Sequence, residues 1–347
     1  MKQNKLYLPD GWVNMRELIY NDMPFVAICG GRGTGKTYGA LKSCVEDGVR
    51  FVYMRRTQTQ VNMVMTPELN PFKKLNRDRG WNIMPFHINQ YISGFYNSGV
   101  NEKGKVVPVG EPFGYLLALS TISNMRGFDM SDVGVLLLDE FIPEKHERII
   151  KDEASAFFNA YETINRNREL EGQKPLKCVM MSNANDLGNP YFLELKLITR
   201  CERMISKGIE YEEDKKRGIG IVILKDSKIS ELKNDTALYR LTEGTEFKEM
   251  AIANEFAGEE RGRIGSRNLN EYVAKVQVGE IVIYRHKSKK EFYVCTHISG
   301  ACPAFGSGPL DLARFRREYL YLWREYMCNT ILFESYLCEI MFQKYFG

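Results

Sequence analysis

The sequence predicts an α/β fold: a mostly parallel sheet over residues 1–205, a linker region over 206–262, and a small α+β domain over 263–347. Three observations carry that prediction. First, Gly30-Gly31-Arg32-Gly33-Thr34-Gly35-Lys36-Thr37 reads G-x-x-x-x-G-K-T between an apolar run at 25–29 and residues of helical composition at 38–46. Strand, glycine loop and helix in that order are the context that gives the pattern its meaning. Second, the apolar run at 133–138 ends in Asp139-Glu140. Third, three β-rich runs between 272 and 297 precede a helical segment.

The loop explains its own residue types. Glycines at 30, 31, 33 and 35 let successive backbone N–H groups turn inward around a phosphate, and Arg32 and Thr34 complete the loop. Lys36 is placed to reach the β- and γ-phosphates of ATP and Thr37 offers a hydroxyl to Mg2+, with the positive end of the next helix facing the anion. Asp139 is the expected second contributor to the Mg2+ site. Glu140 is the expected base that orients and deprotonates an attacking water.

Composition sets bounds. Hydrophobic content of 44% with 27% charged residues describes a globular chain. The first ten residues lack the apolar centre of a secretory signal, and no apolar run is long enough to span a bilayer, so no membrane partner is expected. Eight cysteines show no C-x-x-C spacing and the four histidines stand apart, which points to a reducing cytoplasm rather than a zinc or disulfide scaffold. Residues 263–347 hold twelve Lys/Arg against eight Asp/Glu, a modest basic excess compatible with nucleic acid.

In chain order, residues 1–24 form a polar lead-in with Tyr7, Trp12 and Tyr20, which either flank a nucleobase or serve as core and surface aromatics. Residues 51–54 read as a short buried strand followed by Arg55-Arg56, which would meet phosphate, DNA or solvent at a strand end. Strands are expected at 83–88, 91–96, 105–109 and 115–120, with a turn at 101–104, followed by a polar loop at 121–127. A helix is expected over 152–170, closed by Pro175. Its apolar stripe is Ala154, Phe157, Phe158, Tyr161 and Ile164. Ser155, Asn159, Glu162 and Arg166 share its polar face, and Arg168 falls at the edge of the stripe. Arg166 therefore suits either an outward arginine or an intrahelical pair with Glu162. The strand at 176–181 ends in Ser182-Asn183-Ala184-Asn185.

The P-loop, the Arg126-Gly127 loop, the Asp139-Glu140-Phe141-Ile142 box, Asn165-Arg166-Asn167-Arg168-Glu169, and Ser182-Asn183-Ala184 with Asn189-Pro190-Tyr191-Phe192 come in a familiar order. The chain resembles the genome-packaging ATPases of short-tailed phages of the phi-29 type, relatives of the large terminase subunits. The resemblance covers residues 20–200 and extends less closely through 239–247. It implies a P-loop ATPase domain of the ASCE kind that forms a homomeric ring, usually a pentamer, at the portal of a procapsid in the host cytoplasm. Such a ring threads double-stranded DNA inward, in some members with a packaging RNA as partner. Lys36, Thr37, Asp139 and Glu140 would fill the Walker roles, Arg126 and Arg166 would act across a subunit boundary, and Asn183 would couple hydrolysis to movement. Two other readings stay open: a helicase-like ring ATPase and a nucleotide-gated DNA-binding switch.

The C-terminal runs at 272–278, 279–286 and 291–297, with a helix from Asp311, resemble the start of an RNase H-like domain. A two-metal nuclease needs converging carboxylates. These runs carry acids only at their edges, Glu280 and Glu291, with Glu271 just outside, so a nuclease-like fold without cleavage activity is expected. Lys287, Lys289 and Lys290 form a basic turn, and Tyr319, Leu320, Leu322, Trp323, Tyr326 and Met327 are expected to pack the final helix on the strands.

Overall fold

Continuous apolar runs become the buried strands of a nine-stranded sheet in a computed structural model that describes residues 5–125, 128–144, 147, 150–184, 186–225, 228–233, 235–245 and 263–347. The strands are β1 (Phe25–Gly30), β2 (Phe51–Arg55), β3 (Ile83–His87), β4 (Ser93–Val100), β5 (Val106–Ala118), β6 (Val135–Asp139), β7 (Lys177–Ser182), β8 (Tyr211–Asp214) and β9 (Ile219–Leu224). Their order is β3-β4-β5-β2-β6-β7-β1-β9-β8. Strands from β5 through β9 run parallel to their neighbours in this order, while β3, β4 and β8 are antiparallel at the two edges. Strands covered on both faces lose the polar alternation of a half-exposed strand, which is why β1 and β9 carry no polar side chain and β6 is apolar up to its final Asp139.

The register places the chemistry. In the parallel part of the sheet the loops after β1, β2, β6 and β7 all open at one edge, where ligands bind in open α/β sheets. The P-loop strand and the strand ending in Asp139 are not neighbours: β7 lies between them and pairs with both. Ser182 and Asn183 therefore emerge between the phosphate loop and the acidic pair.

Contacts divide the chain into two units: Met1–Glu194 with Met204–Ala257, and Leu195–Arg203 with Gly258–Gly347. This corrects the expected boundary at 205. β9 pairs with β1 along its whole length and β8 pairs with β9, so the stretch expected as linker contributes two strands to the large sheet. The apolar run Ile219–Leu224, buried at every position, is the sequence signal that marked it.

Helix α1 (Met15–Ile19) lies in the lead-in, α2 (Lys36–Glu46) follows the P-loop, α3 (Gln58–Val64) follows β2, and α4 (Phe72–Arg79) precedes β3. Thr57 and Gln60 form a reciprocal capping box that starts α3. The expected strands at 105–109 and 115–120 are instead one strand, β5, because the pairing with β4 resumes beyond an irregularity. Residues 119–125 of the following loop wind into a 3-10 turn.

The expected helix at 152–170 ends earlier. Helix α5 spans Glu153–Asn165, and Arg166 leaves it with φ +51° while its N–H bonds the carbonyl of Glu162. Asn165 closes the turn through its side chain, which accepts the N–H of Leu176 at 2.7 Å. Ala154, Phe157 and Ile164 of the expected stripe are buried, joined by Ala160, while Phe158 and Tyr161 are half-buried.

Arg55 and Arg56 point to opposite faces, as successive strand residues must. Arg56 is fully buried: its guanidinium meets both carboxylate oxygens of Glu153, at 2.5 and 2.9 Å, and Glu147 at 2.8 Å. Tyr191 donates a further hydrogen bond to Glu153 at 3.1 Å. Removing one partner of such a pair strands the other charge. Glu153→Ala is expected to lower the stability of this unit by about 3–5 kcal/mol, with Arg56→Met plus Glu153→Leu recovering much of the loss. Urea titration followed by circular dichroism measures both, and a loss under about 1 kcal/mol for the single variant would contradict the buried-pair argument.

The second unit is built on a five-stranded sheet in the order β13-β10-β11-β12-β14: β10 (Tyr272–Val278), β11 (Ile281–His286), β12 (Phe292–Cys295), β13 (Ala304–Phe305) and β14 (Ile331–Phe333). The expected three-strand meander is β10 to β12, each antiparallel to the next, while β13 and β14 add parallel edges. None of the five strands contains Asp or Glu. The helix Pro309–Met327 is not the last, because β14 and the helix Tyr336–Phe346 follow. Of its expected packing residues Leu322 is buried and Tyr319, Trp323 and Tyr326 are half-buried, but Leu320 and Met327 face outward. Phe342 of the later helix takes the place of those two in the core.

Candidate active site

The phosphate loop closes on itself through side chains. Lys36 is the first residue of α2, is buried, and donates from Nζ to the carbonyls of Gly30 at 3.0 Å and Gly31 at 2.9 Å. Thr34 Oγ1 donates to the Gly31 carbonyl at 3.1 Å. Gly33 and Gly35 have φ of +67° and +90°, a conformation that costs a side-chain-bearing residue free energy. Gly35 has a second reason: a Cβ there would stand 2.9 Å from the indole of Trp12. Gly35→Ala is therefore expected to weaken nucleotide binding at least about tenfold, since loop and lead-in must both shift. Equilibrium dialysis with labelled nucleotide checks this, and wild-type affinity would contradict it.

The acids meet the loop directly. Thr37 Oγ1 donates to the two carboxylate oxygens of Asp139, at 3.1 and 3.0 Å. Tyr53, buried on β2, donates to Asp139 Oδ2 at 2.6 Å. Burial first, and then the charge of Asp139, push its phenol well above the ordinary tyrosine value, so it stays a donor. Arg55 Nη1 lies 3.3 Å from the same oxygen, and its Nη2 pairs with Glu140 Oε2. Glu140 follows the end of β6 with φ +54° and a half-exposed side chain. A non-glycine residue held there carries strain, and such strain gathers at functional positions.

A cleft of about 810 Å3 joins these groups. Its lining includes Arg32 through Thr37, Asp139, Glu140, Ser182 and Asn183, and extends past Trp12 and Tyr38 to Lys74. The Lys74 ammonium lies 5.6 Å from the Trp12 ring centre and 5.4 Å from that of Tyr38. Trp12 is thus the lead-in aromatic at the site. Tyr7 instead donates to Glu210 at 2.5 Å, and Tyr20 is exposed away from this lining. Arg32 pairs with Glu144, from the loop after the acidic strand.

The three other arginines fare differently. Arg126 lies outside the described residues. Arg166 is exposed, donates from Nη2 to the Phe128 carbonyl at 2.7 Å, and lies 3.6 Å from Asp129. It does not share a helical face with Glu162, because it sits where α5 has already turned. Arg168 bonds the carbonyls of Met130, Ser131 and Val133 at 3.3, 3.1 and 2.7 Å and so fixes the entry to β6. Neither Arg166 nor Arg168 is in the described lining of the cleft.

The donor set fits a triphosphate with a divalent cation. The glycine cradle leaves room for phosphate oxygens, Lys36 supplies a fixed cation, and a hydroxyl and a carboxylate converge where a hard metal takes oxygen ligands. Arg55 is the site residue that sequence reasoning left undecided. Its role depends on the parallel register that sets Met54 opposite Leu138.

Sheet order and site together define a nucleoside triphosphatase fold of the P-loop class, with one strand inserted between the loop strand and the acidic strand. Within that class, the chain belongs to the Podovirus DNA encapsidation protein (Gp16) family, whose profile matches residues 9–296. It is similar to the DNA packaging protein of Bacillus phage phi29, 26% identical over 262 residues that cover 74% of this chain and 69% of that one. The DNA packaging protein of Bacillus phage B103 is 27% identical over 250 residues, covering 70% and 67%. Among solved structures, a chain of the bacteriophage Phi-29 viral genome packaging motor assembly superposes with a TM-score of 0.66 at 20% identity, over 97% of this chain and 98% of that chain. The Phi-28 gp11 DNA packaging motor gives 0.61 at 18%, over the same shares. At those identities the structural likeness speaks to the fold.

Proposed function

We propose that this chain is an ATP-driven motor that moves double-stranded DNA into a phage procapsid as a homomeric ring, a pentamer, at the portal vertex. The observation that carries the reading is the Thr37 hydroxyl at 3.0 Å from Asp139, which joins the phosphate loop to the acidic strand in a chain of the encapsidation family. ATP is the substrate. Thr37 and Asp139 would hold Mg2+, which when bound screens the phosphate oxygens and the charge that develops on them.

The chain's own groups do the rest. Lys36 binds the phosphates and Glu140 takes the proton from the attacking water. Arg55 orients Glu140 while its other nitrogen steadies Asp139. Asn183 stands between the loop and the acids, where a change at the terminal phosphate reaches it through β7. The nucleoside end of the substrate is assigned to the stretch of cleft between Trp12 and Tyr38. Arg166 is assigned to a neighbouring subunit's substrate, and Arg126 is given the same role by family resemblance alone. A packaging RNA and the portal are proposed partners by the same resemblance, and the host cytoplasm is the proposed location. No helix among the described residues is long and apolar enough to cross a membrane.

ATPase activity with purified procapsids and DNA, scored together with protection of the DNA from added nuclease, tests the reading. Hydrolysis without protected DNA would reject it. Unwinding of a forked duplex would favour the helicase-like alternative. The acid-free strands of the second unit support the absence of nuclease activity. Metal-dependent cutting of plasmid, lost on replacing Glu280 or Glu291, would overturn that part.

A further inference from the structure

The long hairpin formed by β4 and β5 outruns the sheet that carries it. β3 covers β4 only up to Asn97, and β2 covers β5 only over Gly114–Ala118. Beyond Ser98, whose N–H still bonds the Asn82 carbonyl at 2.8 Å, β4 and β5 pair, among the described residues, only with each other, through Gly99↔Val107 and Val100↔Val106. Where they leave the sheet, four β5 residues, Gly110 to Phe113, stand opposite Tyr96 alone, and Gly110 takes φ +74°. Such a bulge bends a ribbon and re-aims it.

Between polar exposed residues at its tip, Asn101, Glu102, Lys103 and Lys105, and Glu111 at its root, the ribbon also exposes valines. Val100 is 72% exposed, Val106 53% and Val109 51%. Val100 and Val106 are directly opposed and share a face. A two-stranded ribbon is marginal in water without a third layer, and exposed apolar residues gathered on one projection mark an interaction surface.

The root of the ribbon shares its support with Arg166. Arg50 pairs with Asp132 and reaches Glu111 at 3.9 Å, and Tyr115 donates to Asp132 at 3.4 Å. The same segment, residues 128–133, receives Arg166 on Phe128 and Asp129 and Arg168 on Met130, Ser131 and Val133. The ribbon and the arginine assigned to a neighbouring nucleotide are thus mounted on one buttress, which makes the neighbouring copy the occupant this surface fits.

We propose that the β4–β5 ribbon is a clasp that seats its Val100–Val106 face on the adjacent copy of this chain, beside the interface served by Arg166. The contact is heterologous, ribbon of one copy to body of the next, and so closes a ring. The apolar area is small, so each clasp is weak alone and acts through repetition around the ring. This inference rests on the ring reading above, and the test separates the two.

Full-length wild type, Val100→Glu/Val106→Glu and the milder Val100→Thr/Val106→Thr are compared by sedimentation velocity over a range of concentrations with ATP present. Thermal unfolding confirms that the variants keep the fold. The wild type is expected to associate, with the midpoint moved to roughly tenfold higher concentration or beyond in the glutamate variant and less in the threonine variant. Association of the glutamate variant at the wild-type midpoint would overturn the clasp and leave the ring intact. A wild type that stays monomeric throughout would overturn both. If the glutamate variant unfolds, the threonine variant decides the same question.

Discussion

Glu140→Gln is expected to keep ATP affinity within about twofold of wild type while turnover falls roughly 10²–10⁴-fold. Glutamine has the shape of glutamate and an oxygen that still accepts from Arg55, so the strained backbone at φ +54° and the pairing survive. What it loses is the capacity to take a proton from water. Lys36, Thr37 and Asp139, which bind the phosphates and the metal, are untouched. The split between binding and turnover is therefore specific to a base, since a residue that only shaped the loop would change both. Nucleotide affinity by dialysis and phosphate release under steady state measure the two halves. Undiminished turnover would remove Glu140 from the chemistry.

Arg166→Ala and Lys36→Ala are each expected to lose roughly 10³-fold or more in DNA-stimulated hydrolysis alone and to regain part of it when mixed. The argument is one of position. Arg166 is exposed beyond the end of α5 and lies outside the described lining of its own cleft, whereas Lys36 is buried within that cleft. In a mixed ring, an Arg166→Ala subunit offers an intact phosphate loop to a Lys36→Ala neighbour that still carries its arginine. About a quarter of the interfaces in an equimolar random ring are of that kind. Recovery should peak near equal proportions. Activity that never rises above the sum of the two variants would confine Arg166 to its local bonds with Phe128 and Asp129.

These expectations were legible in the sequence to different depths. Residues 30–37 and the pair Asp139-Glu140 could be read because the chemistry permits few substitutes: glycine best tolerates the positive φ at 33 and 35, and a carboxylate serves both a hard metal and an attacking water. The strands β1, β2 and β6 could be read because buried parallel strands are near-continuous apolar runs up to the edge where the site lies. Arg55 could not, because its partners lie at and just past the end of β6, far along the chain, and only the register brings them together. The end of α5 was missed because residues 166–170 keep a helix-compatible composition, and the left-handed turn at Arg166 depends on tertiary bonds to the loop before β6. The strand Ile219–Leu224 was legible by the rule that revealed β1, yet it lay beyond the assumed domain end.

Trp12 leaning on Gly35 makes the phosphate loop optically visible. An indole ring packed against the backbone that must adjust around phosphate, with the Lys74 ammonium over its face, should change its emission whenever the cleft fills. The other tryptophans, Trp81 and Trp323, are absent from the cleft lining. Nucleotide entry and departure can therefore be timed on the unlabelled protein, with Trp12→Phe as the silent control.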